Sequence, residues 1–151
     1  MGAASAFAAH WTSRLTGGFP VLAAMQVVVQ GDAERWQLVA PFGPNRNDHG
    51  TAFGGSLSTL ATIAGWMATN LAAGDGYDVV IQSGNADFIT PLTGNLLTQV
   101  QTIDAATLQR FAATLARRGK ARLAVNVVIH DQRNAPVLRF AGQYVAVALP
   151  A

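Results

Sequence analysis

The chain has 151 residues, half of them hydrophobic and 12% charged, with a formal net charge of +2 and no cysteine. That length and apolar content suit one domain with a sizeable core, and they exclude a disordered chain, which buries too little surface to offset its ordering entropy. The small charge excess gives no footprint for nucleic acid, and the lack of cysteine removes disulfides, thiolate nucleophiles and cysteine metal sites.

The opening "MGAASAFAAHWTSRLTGG" has no basic region followed by a long apolar core, so it does not read as a signal peptide. Ala6 stands where a myristoylation signal wants Ser or Thr. A cytoplasmic protein is expected. Phe7, Trp11 and Leu15 recur on one helical face, and Gly17-Gly18 can stop that helix. "LAAMQVVVQ" (22–30) and "ERWQLVAPF" (34–42) read as two strands around a "GDA" turn, ended by Pro41, Gly43 and Pro44.

A helix from about Gly55 to Ala73 is apolar nearly all round, the mark of a core helix. Its serines, threonines and Asn70 argue against a membrane span. "AGDG" (73–76) stops it. Strands follow at 77–90 and 94–104, and the "PLTG" turn between them predicts antiparallel neighbours. Residues 106–118 fit a short amphipathic helix with Leu108, Phe111 and Leu115 on one side, and strands over 121–131 and 137–149 close the chain around a "QRNAP" turn. Runs of strands with one central helix imply an α+β domain, an antiparallel sheet wrapped around that helix. The chain shows no repeat and no linker, so a single domain spans 1–151, with an N-terminal helix over 1–18. Low charge beside high apolar content points to a second subunit as cover for the sheet.

Asn47, Asp48 and His49 crowd just ahead of the central helix, where Gly54-Gly55 begins it. Amides in a first helical turn lack intrahelical partners and carry partial positive charge, which suits a developing oxyanion. Glycines there leave room for a substrate carbonyl. Two readings stand side by side: an ordinary capping loop, or a reaction site built on the helix start. Ser56 reads as a first-turn residue, because no G-x-S-x-G elbow surrounds it.

The spacing Asn47-x-x-Gly50-x-x-Phe53-Gly54-Gly55 ahead of a long apolar helix resembles hot-dog-fold acyl thioesterases, many of which carry N-x-x-G-x-x-H-G-G. The stretch "APFGPNRNDHGTAFGGSLSTLATIAGW" is more similar to one branch, the thioesterase-like domain found alone or fused behind a GNAT-type acetyltransferase domain. "FITPLTGN" (88–95), "LARRGKARLAVNVVI" (115–129) and "FAGQYVAV" (140–147) resemble the later strands, so the match covers roughly residues 20–148. The resemblance implies a hot-dog homodimer, which can pair further into a tetramer, with sites at the subunit interface. It implies an acyl-CoA or acyl-carrier-protein substrate and a place in fatty acid metabolism, with CoA or phosphopantetheine present only as part of the substrate and no separate cofactor. Gly54 and Gly55 would hold the thioester oxygen, and Asn47 would orient the carbonyl or water. Two positions depart from the pattern. The histidine before Gly-Gly is Phe53, and the helix carboxylate falls on Thr62. Asp48 and His49 are the local substitutes as general base, since histidine exchanges its proton near neutral pH.

Gln82, Ser83 and Asn85 on the third strand are candidates to line a pocket, with Asp87 on the face of Ser83 and Asn85. Arg117, Arg118, Lys120 and Arg122 form a basic cluster that either meets CoA phosphates or sits in a solvated turn. His10 and His130 read as structural, Trp66 and Met67 as core or tunnel wall. No histidine spacing supports a metal site. A thioesterase without metal is the expected function. The rivals are an acyl- or carrier-protein-binding module without catalysis, and a hot-dog dehydratase or hydratase.

Overall fold

A computed structural model describes residues 3–150. Met1, Gly2 and Ala151, the ends of the expected domain and the site of the myristoylation reading, lie outside the described residues. Helix α1 covers Ala3–Gly18. Trp11 and Leu15 are buried and Phe7 packs against the core, as their spacing predicts. The Thr12 hydroxyl accepts the Val29 amide at 2.9 Å, so α1 caps one edge of the sheet.

The expected strand over 22–30 is shorter than predicted. Pro20 presets a helical φ, and Pro20–Ala24 forms a short helix, α2. Gln26 then turns the chain at φ 59°, and strand β1 runs only over Val28–Gly31. Gly31 has φ 102°, and a Cβ there would collide with the Arg35 carbonyl, so the hairpin requires glycine. Asp32 Oδ1 accepts the amides of Glu34 and Arg35 to hold the turn into β2, Trp36–Ala40.

The central helix α3, Gly54–Ala73, buries residues on nearly every side and stops at Gly74. Then come β3 (Tyr77–Phe88), β4 (Leu96–Val100), α4 (Ala105–Arg118), β5 (Lys120–His130) and β6 (Pro136–Ala148). Asp104 caps α4 by accepting the Thr107 amide at 2.7 Å, and Gly119 ends it in the left-handed region. The six-stranded antiparallel sheet has the order β1-β2-β4-β5-β6-β3 and wraps around α3.

The predicted hairpin between the third and fourth strands is therefore wrong. β3 pairs with β6 at the sheet's edge, while β4 lies between β2 and β5. The "PLTG" segment is a crossing rather than a turn. Leu92 is buried and its carbonyl accepts the Ala52 amide at 2.8 Å, which carries the chain past the start of α3 to the other half of the sheet. The Phe111 and Leu115 face of α4 joins the same core. Trp66 packs half-buried against the core, and Met67 lies inside it. No helix of the described residues is long and apolar enough to cross a membrane.

Candidate functional site at the start of the central helix

The residue ahead of α3 is Phe53, and no side chain caps the helix. Its first intrahelical bond runs from the Leu57 amide to the Phe53 carbonyl, at 3.1 Å. The amides of Gly54, Gly55 and Ser56 come ahead of that bond, where a helix presents free donors. Ser56 is buried in this first turn and supplies no cap.

Two exposed aromatic rings wall this turn. A Cβ on Gly54 would stand 3.3 Å from Phe88, and a Cβ on Gly55 would collide with the Phe53 ring. Phe53 is 55% exposed and Phe88 57%, so both present apolar surface beside the first-turn amides. Hydrogen-bond donors flanked by apolar rings gain strength toward an oxyanion where water is displaced.

Further along α3, Trp66 Nε1 donates to the Val79 carbonyl at 2.8 Å. With Gly54 beside Phe88, that bond makes α3 antiparallel to β3. Thr62 lies between, half-buried, and its carbonyl accepts the Tyr144 hydroxyl at 2.7 Å. Burial pushes the Tyr144 phenol well above its ordinary value, so it stays a neutral donor.

The loop before the helix is closed on itself. Arg46 and Ala52 form a bridge, and Asn47 N donates to the Thr51 carbonyl at 2.7 Å. Asn47 Oδ1 accepts the amides of His49 and Thr51, and its Nδ2 donates to the Thr51 hydroxyl. The Asn47 side chain is therefore spent on the loop. Asp48 Oδ1 lies 2.9 Å from His49 Nδ1, with the two side chains 96% and 74% exposed. With the proton on Nδ1 toward Asp48, His49 Nε2 accepts from Asn47 Nδ2 at 3.4 Å. The pair stands at a solvent-exposed loop tip.

The other candidates lie elsewhere on the protomer. A bulge between Ile81 and Ser83, at Gln82, reverses the alternation of β3. Val79 and Ile81 face inward with their partners Ala146 and Tyr144, but so then do Gly84, Ala86 and Phe88. Ser83 and Asn85 do share a face, yet it is the outer one, away from α3. Asn85 lines a shallow depression of about 200 Å³ there with Asp87 and Arg139. Asp87 stands opposite Arg139 in the ladder, and His10 packs edge-on against Trp11. Arg117, Arg118, Lys120 and Arg122 are exposed. Lys120 pairs with Val147, beside the strand end where Tyr77 meets Ala148. The basic cluster therefore sits at the far end of α3, roughly 25 Å from Gly54 at 1.5 Å per residue.

Two residues that build the site were missed. Asn45 is buried, and its Nδ2 donates to the carbonyls of Met25 (2.9 Å) and Pro41 (2.8 Å). Its own carbonyl accepts the Phe53 amide at 2.7 Å, fixing the residue that starts α3. Between Pro44 and Arg46 it looks like any turn asparagine, so no sequence signal set it apart. Phe88 was seen only as a strand residue, and its approach to Gly54 depends on the antiparallel run of α3 and β3.

The sequence matches, over residues 8–148, the family described as "Putative thioesterase (yiiD_Cterm)". None of the proteins with curated functions matches it. A protein of unknown function from Chlorobaculum tepidum is 27% identical, with TM-score 0.85 and 93% of each chain covered. A structure titled putative thioesterase, from Shewanella oneidensis, is 25% identical with TM-score 0.79, covering 95% of this chain and 99% of that one. A Bacillus halodurans protein solved with CoA is 19% identical with TM-score 0.66, covering 84% and 75%, a likeness of fold. The sheet around its long helix is the hot-dog arrangement of such thioesterases.

Proposed function

This chain belongs to the family described as "Putative thioesterase (yiiD_Cterm)", and from that membership we propose that it hydrolyses the thioester of an acyl-CoA or an acyl-carrier protein, in the cytoplasm. We place it in the branch whose domain occurs alone or behind a GNAT-type acetyltransferase. The carrying observation is the uncapped start of α3, with the Gly54 and Gly55 amides between the rings of Phe53 and Phe88.

The thioester oxygen sits on those amides beside Ser56, and Thr62, roughly 10 Å further along the helix, borders the acyl chain. Water attacks the carbonyl carbon while a base takes its proton. The oxyanion collapses, the C–S bond breaks, and the proton passes to the departing sulfur. The base is the Asp48–His49 pair, and Asn47 holds the loop that carries it. No metal or separate cofactor enters this scheme.

The site is completed by a second copy. β3 is a twelve-residue edge strand without proline or lysine, and Val80, Ile81, Phe88 and Ile89 expose apolar surface along it. Two such edges related by a two-fold axis pair antiparallel. That pairing brings the Tyr77 end of one protomer toward the Phe88 end of the other. It carries Arg117, Arg118 and Lys120 of one chain toward the helix start of its partner, where they meet CoA phosphates. Ser83 and Asn85 stay on the outer face of the joined sheet, so of the third-strand candidates only Gln82, at the bulge, borders the substrate, and only across the dimer. The CoA held by the Bacillus halodurans protein supports a CoA thioester as the substrate. Pairing of dimers into tetramers would use the outer sheet face.

The second reading, a binding module without catalysis, draws on Thr62 at the carboxylate position and on the exposure of Asp48 and His49. Purified protein is assayed for thiol release over acyl-CoAs from acetyl to palmitoyl, and in parallel for enoyl-CoA hydration. Thiol release is the expected result. Hydration without release makes it a hydratase, and tight binding without turnover makes it a module.

A further inference from the structure

The β2–β4 ladder contains only two residue pairs, Val39↔Leu97 and Ala40↔Leu96. At the next step the Thr98 hydroxyl stands between the strands. It donates to the Leu38 carbonyl and accepts the Leu38 amide, both at 2.9 Å. A side chain thus replaces a ladder bond, and beyond it β2 and β4 have no pairing. The sheet is split there by a cleft of about 1140 Å³.

The cleft has two chemical zones. Ala68, Leu71 and Ala72 of α3 form its floor, one helical stripe whose alanines keep it open. Trp36 on one lip and Val100 on the other flank that floor, on the inward side of the sheet. The rim is polar, with Gln30 and Gln37 facing Gln99 and Gln101. Of the four charged or titratable groups on it, Asp131 is engaged by the amides of Arg133 and Ala135, at 2.8 and 2.9 Å. Glu34 and Arg35 stand at the β1–β2 turn, and His130 lies on β5 beside Leu97. The only side-chain ion pair among the described residues is Asp48–His49, so the Arg35 guanidinium is unpaired.

This cleft is separate from the helix start. Its floor lies roughly 20–25 Å along α3 from Gly54. Leu60, Ala61, Ala64 and Met67 between them are fully buried, so no passage joins the two.

We propose that the split between β2 and β4 is a second binding site, for an aliphatic carboxylate whose chain lies on the α3 floor and whose head meets Arg35. From Thr98 the cleft follows β4 to Val100 and then the loop to Ile103, and its volume of about 1140 Å³ suits a medium or long acyl chain. Apolar floor, polar rim and one unpaired guanidinium match an amphiphile with an acidic head better than an extended peptide, which would pair with the lips and make little use of the floor.

Calorimetric titration with dodecanoate, and with dodecanol as its neutral counterpart, tests the site. Dodecanoate binds wild type, and Arg35→Ala weakens it about tenfold while sparing dodecanol, as loss of one charge-assisted contact requires. Ala72→Trp and Val100→Trp, each confirmed folded by circular dichroism, fill the floor from opposite sides and weaken both ligands. Gly55→Val leaves both unchanged, which separates this site from the hydrolytic one. Absence of dodecanoate binding to wild type overturns the proposal. So does binding that survives both tryptophan variants, or that is lost only in Gly55→Val.

Discussion

Thr98→Val removes the hydroxyl that separates β2 from β4 while keeping the side chain's volume. Leu38 is 0% exposed and Thr98 1%, so neither backbone group of Leu38 regains water. Both 2.9 Å bonds go, leaving a buried N–H and a buried C=O without partners. Each such group costs about 1–3 kcal/mol, and the extra methyl of valine returns less than about 1 kcal/mol. The expected loss is therefore about 2–5 kcal/mol. Thr98→Ser keeps both bonds and gives up one methyl, about 1 kcal/mol. For a domain of this size the valine variant should melt roughly 5–15 °C lower. Urea unfolding followed by far-ultraviolet circular dichroism, at one protomer concentration, measures the difference. A valine variant within about 0.5 kcal/mol of wild type, below the range just given, would show that the strands close on each other. The hydroxyl would then not be what holds the cleft open.

His49→Ala and Asp48→Asn should each lower kcat by about 10²–10⁴-fold with a smaller change in KM, and Thr62→Asp should raise the rate. If both loop variants stay within about threefold of wild type, the pair is not the base. Val80→Lys places a charge on the exposed β3 edge and should weaken the dimer by at least about tenfold in light scattering. A wild type that is monomeric and active at micromolar concentration argues against pairing through β3. Asp104 has its carboxyl lowered from 3.8, chiefly by the Thr107 amide bond and then by the Thr107 hydroxyl. Its stabilisation is present above 3.8 and is lost as pH falls through the lowered folded-state value. The gap in melting temperature between wild type and Asp104→Ala should therefore shrink on acidification, and a constant gap would refute the cap's titration.

Local signals located most of the elements. The apolar run over α3 with its Gly74 stop, and the four-residue spacing of Phe7, Trp11 and Leu15 in α1, each mark one element. What escaped depends on contacts distant in sequence. Nothing in "PLTG" reveals that Leu92 bonds Ala52 and carries the chain across the sheet. The bulge at Gln82 leaves no compositional trace, yet it decides that Gly84 and Phe88 face the helix while Ser83 and Asn85 face out. Gly54 and Gly55 were legible as the start of the central helix because they stand between a polar loop and its apolar run. Asn45 was not, since its role comes from Met25, Pro41 and Phe53 converging on it.

In the proposed mechanism the Gly54–Gly55 amides polarise the thioester carbonyl. Gly55→Val places a branched side chain against Phe53 at the point where the carbonyl must approach. The most direct measurement is kcat/KM of that variant on the best acyl-CoA, with its fold checked by circular dichroism. Losing oxyanion donors of this kind costs about 10²–10³-fold or more. A folded protein with at least that loss is expected. A folded Gly55→Val protein with wild-type kcat/KM would show that the carbonyl binds elsewhere.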